Sequence, residues 1–124
     1  MLIKTFTFNG FSENTYVLTD EATRASVIVD PGCYTVAEQS TLRQYIDENR
    51  LGVAAVLLTH GHIDHVLGCA FVLKTWPGTP LLVHDLDRPT LAGVATYASP
   101  YGFGAYQAAE PTGALVAGQP VRFG

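Results

Sequence analysis

Between residues 59 and 65 the chain reads Thr59-His60-Gly61-His62-Ile63-Asp64-His65, gathering three of its four histidines and one of its six aspartates. Imidazole nitrogen and carboxylate oxygen are the ligands zinc accepts in catalytic sites, where three protein ligands leave a position open for water. Iron and manganese tolerate the same set. Alternate residues of an extended segment point to one side, so His60, His62 and Asp64 can converge while His65 leaves at another angle as a helix begins. Two neighbouring metal sites are possible in that arrangement. Solvated loop histidines suit a lone histidine better than four ligand types at this spacing, and a purely structural zinc site usually recruits cysteine. Cys33 and Cys69 lie far from Cys-x-x-Cys spacing and read as free thiols of a reducing compartment. A catalytic metal is the favoured reading.

Elements on either side must hold this segment. Residues 53–58 form a continuous apolar run of strand length, as expected for a central strand covered on both faces, and it leads straight into Thr59-His60. A helix is expected from about Asp64 to Thr75, stopped by Trp76-Pro77-Gly78. Upstream, residues 2–8, 15–19 and 25–29 are β-rich and open the chain as a meander, with Asn9-Gly10 ending the first strand. Asp30-Pro31-Gly32 breaks the pattern. Thr35 and Glu38 then form a capping box for a helix over about 36–50, with Leu42, Tyr45, Ile46 and Asn49 on one mainly apolar face. Downstream, Leu81-Leu82-Val83 reads as a buried strand and Asp85 as the cap of a helix that has Pro89 in its first turn. A last strand is expected within Val116–Phe123, after a loop-like stretch over Gly102–Gly118. Strands followed by alternating helix and strand indicate a layered α/β or α+β domain.

Composition narrows the function classes. At 124 residues and 48% hydrophobic content the chain suits one core, and its charged fraction of 15% is low for a domain that covers its own surface. Some surface that expects a partner is therefore implied. The net charge of −4, with Lys and Arg scattered singly, provides no stripe for a nucleic-acid backbone. No stretch approaches the roughly 20 apolar residues of a membrane span, and the amino terminus lacks a signal-like apolar run, so a cytoplasmic location is expected.

Asn14-Thr15-Tyr16, Val29-Asp30-Pro31-Gly32, the segment Leu57 to His65 and then Gly68 follow one another in an order and spacing that resemble the metallo-β-lactamase superfamily, and more narrowly its glyoxalase II-like hydrolases. That resemblance implies an αββα sandwich of which residues 1–124 form roughly the amino-terminal half. It implies that His60 and His62 bind a first zinc, and Asp64 and His65 a second, with a hydroxide held between them attacking the carbonyl of a small ester or thioester, such as a hydroxyacylglutathione. Asp64 is thereby a catalytic as well as a metal-binding residue. Asp30 and Thr59 stand behind the ligands, Asp30 fixing the tautomer of a ligand histidine. An Asp-Pro-Gly turn former is an equal alternative for Asp30.

The family completes its sites with a Pro-Gly-His histidine, a bridging aspartate and a last histidine, whereas this chain has no histidine after His84. The expectation is a half-enzyme, catalytically poor alone and completed by a carboxy-terminal half, its uncovered apolar face associating with itself or with a partner. A non-catalytic metal-binding or interaction fragment and a mononuclear iron dioxygenase are the alternatives. His84 is read as structural, Cys33 as a buried small hydrophobe, and Trp76, Tyr97, Tyr101, Phe103 and Tyr106 as packing residues.

Overall fold

The computed structural model describes residues 1–124. Three strands open the chain, β1 (Leu2–Phe8), β2 (Glu13–Thr19) and β3 (Ala25–Val29), paired antiparallel as the expected meander. Helix α1 (Val36–Glu48) follows, and its Thr35–Glu38 capping box is formed in both directions. Strand β4 (Gly52–Leu57) lies parallel to β3, and β5 (Leu81–His84) lies parallel to β4. Between them run two short helices, α2 (Ile63–Val66) and α3 (Cys69–Thr75). After β5 come a 3-10 turn over Asp85–Asp87, helix α4 (Arg88–Tyr97) and strand β6 (Gly113–Leu115), which pairs parallel to β5. The six strands form one sheet in chain order, β1-β2-β3-β4-β5-β6.

Strand pairing sorts side chains to two faces, because successive residues point oppositely. The row Val17, Ile28, Val56 and Leu81 is fully buried. It shares one apolar cluster with Leu42 and Ile46 of α1, Val66 of α2, Val72 of α3, and Leu91 and Val94 of α4. The adjacent row, Tyr16, Val29, Leu57 and Leu82, points the other way and is only half-buried. Each methylene removed from water in the covered row contributes about 0.8 kcal/mol, which the half-open row realises only in part.

Four expectations are corrected by these facts. The central strand is not covered on both faces, since Ala54 is exposed and Val53 and Leu57 half-buried. The helix expected over 64–75 is two helices, because the Gly68 amide turns away to the Pro31 carbonyl, 2.7 Å distant. Gly68 also has no room for a side chain, as a Cβ there would lie 2.8 Å from the Cys33 carbonyl and 2.9 Å from that of Pro31. Asp85 caps nothing and instead accepts from Arg88 Nε at 2.9 Å, while His84 Nδ1 accepts from the Leu86 amide at 3.1 Å. The last strand is Gly113–Leu115 rather than within 116–123; the Thr112 amide donates to the Leu81 carbonyl and its hydroxyl accepts from the Leu81 amide, which sets the pairing. No helix is long and apolar enough to cross a membrane.

Candidate metal centre

Parallel β3 and β4 end side by side, and ligands in open α/β sheets gather beyond such carboxyl ends. Asp30 follows β3 directly, and Thr59 to His65 follow β4. The β1–β2 turn falls at the same end, because Phe8 pairs with Glu13 and Tyr16 with Val29. Three connections thus meet at one end of the sheet.

Asp30 is the buried hub. Its φ of 52° lies in the left-handed region, a costly conformation for a non-glycine residue and one that precedes a proline. Tertiary bonds hold it there. Oδ1 accepts from the Thr59 amide at 2.8 Å, Oδ2 accepts from the Thr59 hydroxyl at 2.6 Å, and Oδ2 also meets His65 Nδ1 at 2.9 Å. Only a proton-bearing nitrogen can donate to a carboxylate, so Asp30 holds a proton on His65 Nδ1, and in the neutral imidazole Nε2 is the nitrogen that carries the lone pair.

His60 is fixed by the same reasoning one step removed. Its Nδ1 lies 2.9 Å from the Thr59 hydroxyl, whose only proton is committed to Asp30. The hydroxyl therefore accepts, His60 Nδ1 donates, and its Nε2 is free as well. Burial, reinforced by the neighbouring His65 and His62 rings, holds the His60 pKa below the usual imidazole value, which favours the neutral form that metals bind.

All four residues of the histidine motif are brought together. The His60 ring centroid lies 4.6 Å from that of His62 and 4.1 Å from that of His65. Asp64 Oδ2 is 3.2 Å from His65 Nε2. Two ligands about 2.1 Å from one ion at a tetrahedral angle stand about 3.4 Å apart, so the Asp64–His65 pair has the spacing of one edge of a coordination shell. Ligand atoms of Asp30, His60 and His65 also lie within 4.8 Å of one another. Asp30 already accepts three hydrogen bonds, and its place is behind the imidazoles. The donor set and its tautomers fit a divalent metal.

Two residues of the surroundings were not expected from sequence. Glu13 is buried at the floor, with Oε1 3.7 Å from His65 Nδ1. Thr15 Oγ1 lies 2.7 Å from the Asp30 carbonyl and 3.0 Å from Glu13 Oε2, while accepting from the Gly32 amide at 3.1 Å. Its one proton serves only one of two acceptors, so the Glu13 contact is complete when Glu13 is a neutral acid. Burial, with Asp30, Asp64 and Glu38 nearby, pushes the Glu13 carboxyl up to about 8 in agreement with that count. Asn9, in the β1–β2 turn, donates from Nδ2 to the Asp64 carbonyl at 2.9 Å. The sequence marked Asn9 as a strand end and Glu13 not at all, although Glu13 is in phase with inward-facing Thr15 and Val17.

Beside His62 and Asp64 opens a cleft of about 480 Å³ lined further by Phe11, Ile63, Tyr97 and Tyr101. Tyr97 and Tyr101 stack edge to face, 5.6 Å apart. Phe103 and Trp76 pack, against Tyr34 and Phe71 respectively. Cys33 and Cys69 are free and buried, and burial raises both thiol pKa values, Cys33 to about 12.

Comparison with known proteins agrees with this architecture. An uncharacterised protein of Mycobacterium leprae is 43% identical over 115 residues, covering 93% of this chain and 49% of the relative. A hydroxyacylglutathione hydrolase of Bdellovibrio bacteriovorus is 41% identical over 59 residues, covering 47% of this chain and 22% of that enzyme. The structure of TTHA1623 in a di-iron-bound form superposes with a TM-score of 0.80 at 26% identity, over 95% of this chain and 56% of that one. The chain thus spans about half the length of the Mycobacterium leprae protein and of TTHA1623. A family model described as the metallo-beta-lactamase superfamily matches residues 8–120, so the sheet, its histidine loop and the turns that brace it belong to a member of the metallo-β-lactamase superfamily.

Proposed function

We propose that this chain supplies the metal-holding half of a hydrolase that cleaves a small ester or thioester of the hydroxyacylglutathione type. The observation that carries the reading is the fixed orientation of the donors. His60 and His65 each have Nδ1 engaged and Nε2 free, and Asp64 Oδ2 stands beside the second of these. His60 and His62 form one pair of ligands, Asp64 and His65 another. Zinc is the metal first expected, with iron or manganese compatible with the same donors; TTHA1623 is described as di-iron-bound.

A divalent ion held there supplies a water-derived nucleophile near neutral pH and stabilises negative charge on an attacked carbonyl. The chain's own residues do the rest. Thr59 and Asp30 hold protons on the Nδ1 atoms of His60 and His65, so that Nε2 is the ligand nitrogen of each neutral imidazole. Asp64 adds a negative oxygen beside His65. Phe11, Ile63, Tyr97 and Tyr101 offer an apolar wall against which the uncharged part of a substrate is oriented. The narrower thioester assignment draws support from the hydroxyacylglutathione hydrolase relatives.

The test is metal content followed by turnover. The chain should retain zinc, iron or manganese after dialysis against a mild chelator, and His62→Ala should lose metal far more readily than His84→Ala. Hydrolysis of a hydroxyacylglutathione thioester should be weak for residues 1–124 alone and rise when a separately made carboxy-terminal half of a relative is added. A folded chain that neither retains nor takes up any of the three metals refutes the reading.

A further inference from the structure

We infer that Asn9 is a positioning residue for the metal centre, clamping the peptide of Asp64 so that the Asp64 carboxylate and the His65 imidazole keep their directions. With respect to metal the inference rests on the proposed hydrolase reading; with respect to the loop it stands on geometry alone. Helix α2 is only four residues long, and the regular partner of the Asp64 carbonyl, the Gly68 amide, is bonded instead to Pro31. That carbonyl is left without a helical donor. Asn9 Nδ2 supplies one at 2.9 Å and gives its other proton to the Gly32 carbonyl at 3.0 Å.

The amide orientation is unambiguous, because both groups facing Nδ2 are acceptors and Oδ1 accepts from the Phe11 amide at 2.9 Å. The backbone of Asn9 is engaged too, its amide donating to Glu38 Oε2 at 2.7 Å, while Glu38 Oε1 accepts from the Tyr34 and Thr35 amides. Asn9 has a φ of 54°, a conformation that asparagine tolerates better than most residues. Gly32 completes the junction, since a Cβ there would come 2.5 Å from the Asp64 carbonyl. The β1–β2 turn, the loop after β3 and the histidine loop are thus cross-linked by one side chain.

Asn9→Asp is the diagnostic substitution. It keeps the shape, the acceptor for Phe11 and the tolerance of positive φ, but sets a carboxylate oxygen against two carbonyl oxygens. Asn9→Gly removes the amide without adding charge and keeps the backbone free. In the metal-free full chain, amide hydrogen exchange at His65 and Gly68 should speed up by at least about tenfold in both variants, while Leu42 and Ile46 in α1 stay within about twofold. In titrations with zinc alone, affinity should fall by about 10- to 100-fold, the range seen when groups supporting a metal ligand are removed. Cobalt(II) bound to Asn9→Asp should show a changed visible spectrum. Unchanged exchange at His65 and Gly68 in both variants overturns the inference, as does uniform acceleration that includes α1, which would mean only a general loss of stability. If the unsubstituted chain takes up no metal, the hydrolase reading fails while exchange still decides the role of Asn9.

Discussion

Replacing Asp30 by asparagine tests the electrostatic logic of the centre at constant size. Asparagine tolerates the 52° φ about as well as aspartate, so backbone strain largely cancels between the two forms. The hydrogen bonds do not. If the introduced amide oxygen takes the Oδ1 place and accepts from the Thr59 amide, the NH2 faces His65 Nδ1 at about the 2.9 Å now spanned by the Asp30 bond. If the side-chain amide is turned round, its NH2 faces the Thr59 amide instead, donor against donor. The first arrangement is relieved by moving the His65 proton to Nε2, which removes the lone pair a metal needs. Losing a charge-assisted hydrogen bond costs about 1.5–3 kcal/mol, and loss of a group supporting a ligand weakens metal binding by about 10- to 100-fold, or about 1.4–2.7 kcal/mol. The two ranges agree, so the expected outcome of Asp30→Asn is a zinc affinity reduced by one to two orders of magnitude in a chain that remains folded. Competition against a chromophoric chelator measures the affinity, and 15N imidazole shifts of the metal-free protein report the tautomer. Zinc affinity within about twofold of the parent, with His65 still protonated on Nδ1, would refute the tautomer argument.

Glu13→Gln should alter the pH dependence of stability. The folded carboxyl titrates near 8 against an ordinary value of 4.5, so the folded state binds the extra proton between these values and stability falls as pH rises through that window. Gln retains a neutral donor toward Thr15, and in urea denaturation of the metal-free chain it should gain on the parent from pH 5 to pH 8 by on the order of 3 kcal/mol. Parallel curves would show that Glu13 is not neutral when folded. Thr59→Val removes the acceptor that fixes His60 and should weaken zinc binding by about tenfold, with Thr59→Ser restoring most of it, as read by calorimetric titration. Gly68→Ala forces a methyl against Cys33 and Pro31 and should destabilise the chain by about 1–3 kcal/mol in denaturant titration. Chelation of bound metal should lower the thermal midpoint, since a ligand that favours the folded state stabilises it by mass action.

What could be read from the sequence was what local chemistry decides. The meander, the Thr35–Glu38 box and the strand leading to His60 follow from side-chain alternation, capping partners three residues apart and an apolar run. The six residues Asp30, Thr59, His60, His62, Asp64 and His65 were all named from the motifs and do meet at one end of the sheet. Two of the misread features depend on distant partners, and the Asp85 cap on competition between neighbours. Nothing near Gly68 signals that its amide will choose Pro31 over Asp64 and divide a helix. Asp85 had the type of a cap, but His84 took the amide and Arg88 took Asp85. The weak last strand is set by Thr112 bonding to Leu81, 31 positions away, rather than by β propensity. Asn9 and Glu13 look ordinary for the same reason, since their importance lies in the carbonyls and imidazole that the fold carries to them.

Sheet order identical to chain order has a consequence for how the protein is made. Every group that shapes the centre, from Asn9 through Asp30 to His65, and the Gly68 amide that diverts the helix, lies within the first 68 residues. Each strand pairs with the one synthesised just before it, so no later segment has to be inserted between strands already formed. Chains emerge from the ribosome at about 5–20 residues per second, and elements whose partners are already present can associate as they appear. The residues that orient His60 and His65 therefore precede, in order of synthesis, the Tyr97 and Tyr101 that wall the cleft. Half of the cleft's apolar wall, Phe11 and Ile63, is made together with the candidate donors, and the other half, Tyr97 and Tyr101, follows.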